Sequence, residues 1–393
     1  MSEPSRLFSP GFLVIALQFA LVTAIAALFY AFSGYLSYLG VSQATAGFII
    51  SADALAALIV QPMIAPLVHP GTSRRWLFGG SLTLAAALFI AGHVTTVPFL
   101  IAARLLQGAG FICVVSALIT MIVQFIPPEM SGRAFGAVSL IRLIPYAVIP
   151  TIFDLVKITP SAFRTVLDVA AVIALLPILA LALPAQRQSV EQGCLSAPGI
   201  SGLLDALRSA AVLMLLLSAL LFFCGNSAIF FYLKQFGSSM GIANTSLFFT
   251  IATVVMILVR FFGGWAFDSY NKVLLCIAGL LAVAISYALL PMSASGRIFF
   301  TLAGISGLGW GIVMPLQAAF MFDISTPQMR GMNQNLLIVM MQGGFFLGPF
   351  LGGQIISRSG YGALFAFLAA VTLLSLLMMA GAGYYSRKDK LRI

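Results

Sequence analysis

An all-α integral membrane protein, with twelve transmembrane helices in two six-helix pseudo-repeats, is the fold this sequence predicts, and three observations predict it. The first is composition: 61% of the 393 residues are hydrophobic, 8% are charged, and the mean hydropathy is +1.09, a balance no water-soluble globular chain carries. The second is run length. Apolar stretches of about 20 residues suit helices crossing a hydrocarbon core roughly 30 Å thick, where only helices or closed barrels satisfy the backbone. Barrel strands would alternate in polarity, and these runs do not. The third is an internal duplication. An offset of 199 takes Gly108 to Gly307, Gly110 to Gly309, Pro128 to Pro327, Met130 to Met329 and Gly132 to Gly331 without a gap, and also Gly80 to Gly279 and Pro150 to Pro349. A constant offset of about half the chain is what a duplication leaves behind.

The runs fall at about 11–36, 43–67, 76–94, 97–126, 134–157, 163–184, 210–236, 243–267, 273–292, 298–324, 332–357 and 361–385, six in each half. The halves are expected at 1–184 and 210–393. A cytoplasmic linker at 185–209, bounded by Pro184 and carrying Pro198, Gly199 and Gly202, joins them, with room for a short surface helix at 203–208.

Orientation follows from the basic residues of the short loops. With the N-terminus inside, the cytoplasmic face gathers Arg6, Arg74, Arg75, Arg133, Arg187, Arg208, Lys272, Arg330, Arg387, Lys388, Lys390 and Arg392, and the outer face only Lys157, Arg164, Lys234, Arg297 and Arg358. Twelve against five places both termini in the cytoplasm of a cell with the chain in its inner membrane. The net charge of +10 is then a topology signal, and no nucleic acid is expected. Residues 1–10 are too polar and too weakly basic for a cleaved signal. Cys113, Cys194, Cys224 and Cys276 show no paired spacing, and His69 and His93 fall at opposite faces, so no disulfide, metal or other cofactor is expected.

Taken in order, span 1 carries Gln18, Thr23, Tyr30 and Ser33. Span 2 carries Asp53 about ten residues in, and an ionisable group at that depth is costly unless paired or hydrated. Two readings stay open: a structural ion pair with an arginine of a neighbouring helix, or a site that exchanges protons.

The loop after span 2 reads PLVHPGTSRRW, and its copy after span 8 reads GGWAFDSYNK. With twelve spans, two six-span halves and this glycine-and-aspartate loop, the chain resembles the major facilitator superfamily over nearly its whole length, and its bacterial efflux-type members in particular. In the second half the loop match is Gly264, Asp268 and Lys272, with Arg260 eight residues before the aspartate; the first half holds Ala65, His69 and Gln61 instead. Joint loss of Arg260 and Asp268 at the offset points to one unit, a cytoplasmic latch between helix ends. The family's gating role is therefore expected of Arg260, Asp268 and Lys272 and not of the first-half loop.

Span 4 opens RLLQGAG, and Arg104, Gln107, Gly108 and Gly110 match the family's fourth-span motif. The resemblance implies proton coupling for Arg104; pairing with Asp53 or with helix-end carbonyls is the plainer reading, and the two are compatible. Span 5 departs from the family's antiporters. It reads LIRLIPYAVIP, with Arg142 near mid-membrane between neighbours that include Pro145 and Pro150. A buried arginine stays charged and needs an anionic partner. With Asp53 set against Arg104, Arg142 and Arg260, the deep core carries excess positive charge, which an anionic cargo could balance; water and peptide carbonyls are the alternative. In span 6, Arg164 and Asp168 make an i,i+4 pair near the outer surface.

The resemblance implies that spans 1, 4, 7 and 10 line the transport path, so Gln18, Tyr30, Asn226, Trp310 and Gln317 are candidate substrate contacts, each equally able to serve as a helix-to-helix hydrogen bond. Span 11 gives GFFLGPFLGG, a thin face around Gly348 and Pro349 suited to close packing against a moving neighbour.

No GxxxxGK[ST] phosphate loop is present, so energy is expected from a gradient. The expected protein is a monomeric secondary transporter, not an enzyme, working by alternating access on a small-molecule substrate. Proton-coupled export of a small organic compound through Asp53 and Arg104 is one expectation. Carriage of an organic anion, a carboxylate metabolite or metal-chelating compound, on Arg142 is the other. A non-transporting sensor would usually add a soluble domain, and an enzyme would cluster its ionisable groups at one depth.

Overall fold

The computed structural model describes residues 9–65, 67–125, 131–182, 208–263, 267, 269–293, 295–326 and 329–390. They form two compact units, 1–191 and 192–393, with six helical spans in each. Unit 1 comprises α1 (Pro10–Tyr38), α2 (Gln43–Ile64), α3 (Ser73–His93), α4 (Val97–Val123), α5 (Ser131–Leu155) and α6 (Pro160–Ala182). Unit 2 comprises α7 (Ala210–Ser239), α8 (Leu247–Phe262), α9 (Lys272–Leu289), α10 (Gly296–Ile324), α11 (330–359) and α12 (361–390). The last two run on as one helical segment except at Gly360, whose φ of 76° lies in the left-handed region and separates them. Residues 183–207, which hold most of the expected linker, lie outside the described residues, as do Gly264, Asp268 and Pro327.

Local chemistry sets the ends. Ser9 caps α1 ahead of Pro10, and Ser42 caps α2 by accepting from Thr45 N–H at 3.2 Å, each satisfying a donor that the first turn leaves open. Asn271 does the same for α9 by accepting from Val273 and Leu274. In α6 the α-helical part stops at Ile173 and continues as a 3₁₀ turn over Leu176–Ala182. Pro177 explains the change, since it has no N–H to donate to Ile173 four residues back. The run expected at 243–267 begins its helix only at Leu247, because Gly241 and Asn244 adopt positive φ and close a turn first.

The duplication holds contact by contact. A Cβ on Gly108 would collide with the Asp53 carbonyl, and one on Gly307 would collide with the Ala252 carbonyl. Gly110 faces Leu84 as Gly309 faces Val283, and Gly80 faces Cys113 and Val114 as Gly279 faces Ile312 and Val313. Every pair sits at the same offset of 199. Small residues let backbones approach closely where lipid gives no hydrophobic drive between helices; the repeated glycines are therefore the contact points of one packing plan used twice, α4 on α2 and α3, α10 on α8 and α9.

Candidate site around Asp53 and Arg104

Close approach at Gly108 sets Asp53 of α2 beside Arg104 of α4. Arg104 Nη2 lies 2.7 Å from Asp53 Oδ1. The same nitrogen donates to the Ile50 carbonyl at 2.7 Å, Nη1 donates to Gln107 Oε1 at 2.8 Å, and Nε reaches the Ile49 carbonyl at 3.4 Å. The arginine is therefore paired with Asp53 and bound to backbone carbonyls at once. Its side chain is wholly enclosed at 0% exposure, whereas that of Asp53 keeps 32%. Every guanidinium nitrogen has an acceptor, so the cation is fixed in place, and the Asp53 side chain is the less enclosed of the two.

The opposite face of Arg104 rests on aromatic rings. Phe29 and Phe32 of α1 lie 4.2 Å and 5.3 Å from its Cζ, a cation–π arrangement that contributes about 2 kcal/mol when desolvated. Sequence reasoning missed both phenylalanines. Their i,i+3 spacing was visible, yet 33 phenylalanines in the chain left nothing to single these two out.

Arg142 is corrected. The expectation was a buried cation, but its side chain is exposed, with Cζ 5.8 Å from the Phe19 ring. Ile141 turns α5 toward the core formed with Phe19, Val115 and Leu118, and the next residue is rotated about 100° away from it. Arg142 has no carboxylate within ion-pair distance among the described residues. Tyr146 follows one turn on along α5 and is half-buried.

Asp168 is the second correction. It approaches His93 Nδ1 at 3.5 Å rather than Arg164. Gly92 brings α3 against Leu167 and Asp168 of α6, and His93 arrives with it.

The candidate substrate contacts sit mainly inside their own units. Gln18, Tyr30, Trp310 and Gln317 are buried, and Asn226 is half-buried. Trp310 Nε1 donates to the Tyr287 hydroxyl at 3.2 Å, and Gln317 Nε2 donates to Ser218 Oγ at 3.2 Å. Ser375 Oγ donates to the Ser218 carbonyl at 2.7 Å and meets Ser218 Oγ at 3.0 Å. A hydroxyl has one proton, so Ser218 is the donor to Ser375 Oγ and the chain runs one way from Gln317. Gln317 Oε1 and Gln18 Oε1 have no hydrogen-bond partner among the described residues.

Of the gating candidates, Arg260 places Nη2 3.5 Å from Met314 Sδ and 3.8 Å from Met256 Sδ, while Asp268 is outside the described residues. Lys272 pairs with Asp323 of α10 at 2.6 Å, a partner the sequence reading did not name. Gly348 packs on Cys224 and Ser227 of α7, flanked by Gly344 on Leu220 and Gly352 on Tyr232. Ser227 Oγ donates to the Gly344 carbonyl at 3.1 Å, and Tyr232 donates to the Pro349 carbonyl at 2.7 Å. The thin face is real, and α7 is what fills it.

Two six-helix bundles built on one repeated plan, with an ion pair between apolar helices of the first, define a multi-pass helical membrane protein. The chain belongs to the Major Facilitator Superfamily, whose family profile matches residues 12–334 and 245–392. It is similar to the quinolone resistance protein NorA of Staphylococcus aureus, 23% identical over 169 residues, which are 42% of this chain and 43% of NorA. A chloramphenicol resistance protein of Streptomyces lividans is 34% identical over 103 residues, 25% of this chain and 26% of that protein. The matched segments thus span less than half of either relative. Among solved structures, the fold is shared with a bacterial homologue of the lysosomal transporter Spinster (TM-score 0.77, 14% identity, 98% of each chain). It is shared also with the nucleoside transporter NupG (0.74, 15%, 96% of this chain and 99% of that one) and a D-xylose–proton symporter (0.73, 14%, 94% and 96%).

Proposed function

We propose that the protein exports a small organic compound by alternating access, driven by protons that Asp53 takes up and releases beside Arg104. One observation carries the reading: the arginine is enclosed and fully hydrogen-bonded while its carboxylate partner stays one-third exposed. A proton can then reach Asp53 without unseating Arg104, because Gln107 and two carbonyls still hold the cation when the carboxylate is neutral. The names of the two resistance proteins support drug-like cargo. Basic-residue placement supports an inner-membrane location with both termini cytoplasmic, and a monomer suffices because both units lie in one chain.

The test is transport in proteoliposomes under an imposed pH gradient, with a quinolone and chloramphenicol as probes. Asp53→Asn should abolish uphill accumulation while leaving exchange of the same probe across equal concentrations. Loss of both in a folded protein would make Asp53 structural; retained uphill transport would remove it from coupling.

The exposed Arg142 guanidinium, with no carboxylate within ion-pair distance among the described residues, supports a second reading in which the cargo is an organic anion bound there. Arg142→Lys keeps the charge and loses the bidentate fork. Carboxylate binding should weaken about tenfold or more, the scale of a strong hydrogen bond lost to a charged group. Unchanged affinity would end this reading.

A further inference from the structure

The first helix is not continuous α-helix. Phe29–Ala31 is wound as a 3₁₀ turn, with the Phe32 N–H donating to the Phe29 carbonyl. In an α-helix residues i and i+3 are turned about 60° apart, whereas in a 3₁₀ turn they eclipse. Eclipsing aligns Phe29 and Phe32 on the edge of α1 that meets Arg104. The two rings meet edge-on at 4.9 Å. Behind them stands Phe163 of α6, 6.4 Å from Phe29, 5.9 Å from Phe32 and 5.3 Å from Tyr35. The guanidinium is therefore held between α2, which supplies a carboxylate and two carbonyls, and α1, which supplies two ring faces.

We propose that Phe29 and Phe32 are positioning residues that pass the protonation state of Asp53 to the C-terminal part of α1, by holding the 3₁₀ turn when Arg104 loses its anionic partner. The proposal rests on Asp53 exchanging protons. While Asp53 is charged, the cation is balanced chiefly by the carboxylate, and one ring more or less matters little. Once Asp53 is neutral, carbonyl dipoles and ring quadrupoles are what balance it, and a desolvated cation gains most from a ring face. The 3₁₀ winding lines the two rings up along one edge of α1, where an α-helical turn would set them about 60° apart. Rewinding three residues as α-helix would rotate the following segment by about 60° and draw it in by about 1.5 Å, carrying Phe32, Tyr35 and Tyr38 with it. Among the described residues, the titratable groups facing Asp53 are Arg104 on α4 and Tyr146 on α5, with Arg142 one turn before Tyr146. None of these is on α1, so removing the two rings separates the lever from the proton site.

Spin-label distance measurement on the full chain in lipid nanodiscs tests this without a substrate. Cys113, Cys194, Cys224 and Cys276 are replaced, and labels are placed at Tyr38→Cys and Met63→Cys, whose native side chains are 62% and 66% exposed. The expected result is a distance distribution that moves between acidic and alkaline buffer in the parent, stays at its acidic position in Asp53→Asn, and stops responding in Phe29→Leu/Phe32→Leu. Phe29→Tyr/Phe32→Tyr, which keeps both ring faces, should restore the response. A leucine variant that responds like the parent, or a parent that does not respond, overturns the proposal. If Asp53→Asn still responds, the reading of Asp53 as the proton site fails first and the proposal falls with it. Should the double leucine variant not fold, Phe32→Leu alone is read in the same way.

Discussion

Gly108→Ala and Gly307→Ala place the same methyl group at equivalent points of the two units, yet only one of them lies beside a charge pair. Each new Cβ meets a backbone carbonyl, that of Asp53 in one case and Ala252 in the other, and neither carbonyl can rotate away as a side chain would. The helices must part, at a cost of about 1–3 kcal/mol for an overpacked interior. In unit 1 the same parting lengthens the 2.7 Å contact between Arg104 and Asp53. At an effective dielectric of about 20, opening it by about 1 Å lowers the pair energy from about 6 to about 4.5 kcal/mol. Asp53 is 32% exposed, and solvent screening makes the difference of about 1.5 kcal/mol an upper bound. Both variants should therefore melt earlier by similar amounts in detergent. Only Gly108→Ala should also lower uphill, pH-driven transport relative to exchange of the same quinolone. Equal functional loss in both variants, or a Gly108→Ala protein as stable as the parent, would refute the reasoning.

Two further tests follow from unit 2. Tyr232→Phe removes the hydroxyl that donates to Pro349 at 2.7 Å and should destabilise by about 1 kcal/mol, the net worth of one buried hydrogen bond; no change in thermal denaturation would show that α7 and α11 are held by glycine packing alone. Asp323→Asn breaks the pair with Lys272, whose side chains are 41% and 27% exposed. Stability should move by less than about 1 kcal/mol, so a larger drop would mean that this contact is structural rather than a latch that opens and closes.

The sequence shows the fold because its signals are periodic and redundant: run length, basic loops and the offset of 199 each report the same architecture. It shows the Asp53 and Arg104 pair for a related reason, since an acid and a base at depth have few other partners. What it conceals depends on side-chain direction. One residue of rotation separates the half-buried Ile141 from an exposed guanidinium at Arg142. Asp168 has Arg164 one turn away, and a glycine on a different helix hands it His93 instead. Asp323 lies fifty-one positions from Lys272, and no spacing rule joins them. Phe29 and Phe32 are aligned toward one cation where α1 changes its winding, and 3₁₀ turns leave no periodic mark in so apolar a run.

Duplication makes the differences between the units as informative as the likenesses. At the offset, Asp53 and Arg104 become Ala252 and Ala303, although the glycine contact beside them persists; the packing was kept and both charges are missing together, as a buried pair requires, since one charge left alone costs several kcal/mol. The converse exchange occurs at the centre of each bundle. Phe19 and Leu118 pack in the apolar cluster of unit 1, and their counterparts Ser218 and Gln317 start the one-way hydrogen-bond chain of unit 2. Unit 1 thus combines a titratable pair with an apolar centre, and unit 2 an uncharged pair position with a polar one. Among the described residues, the pair position of unit 1 can change its charge on protonation, whereas the hydroxyl and amide groups at the centre of unit 2 keep their protons across the working range. In the proton-driven cycle proposed above, the protonation site therefore lies in unit 1, while the Ser218–Gln317 centre of unit 2 is built from neutral hydrogen bonds.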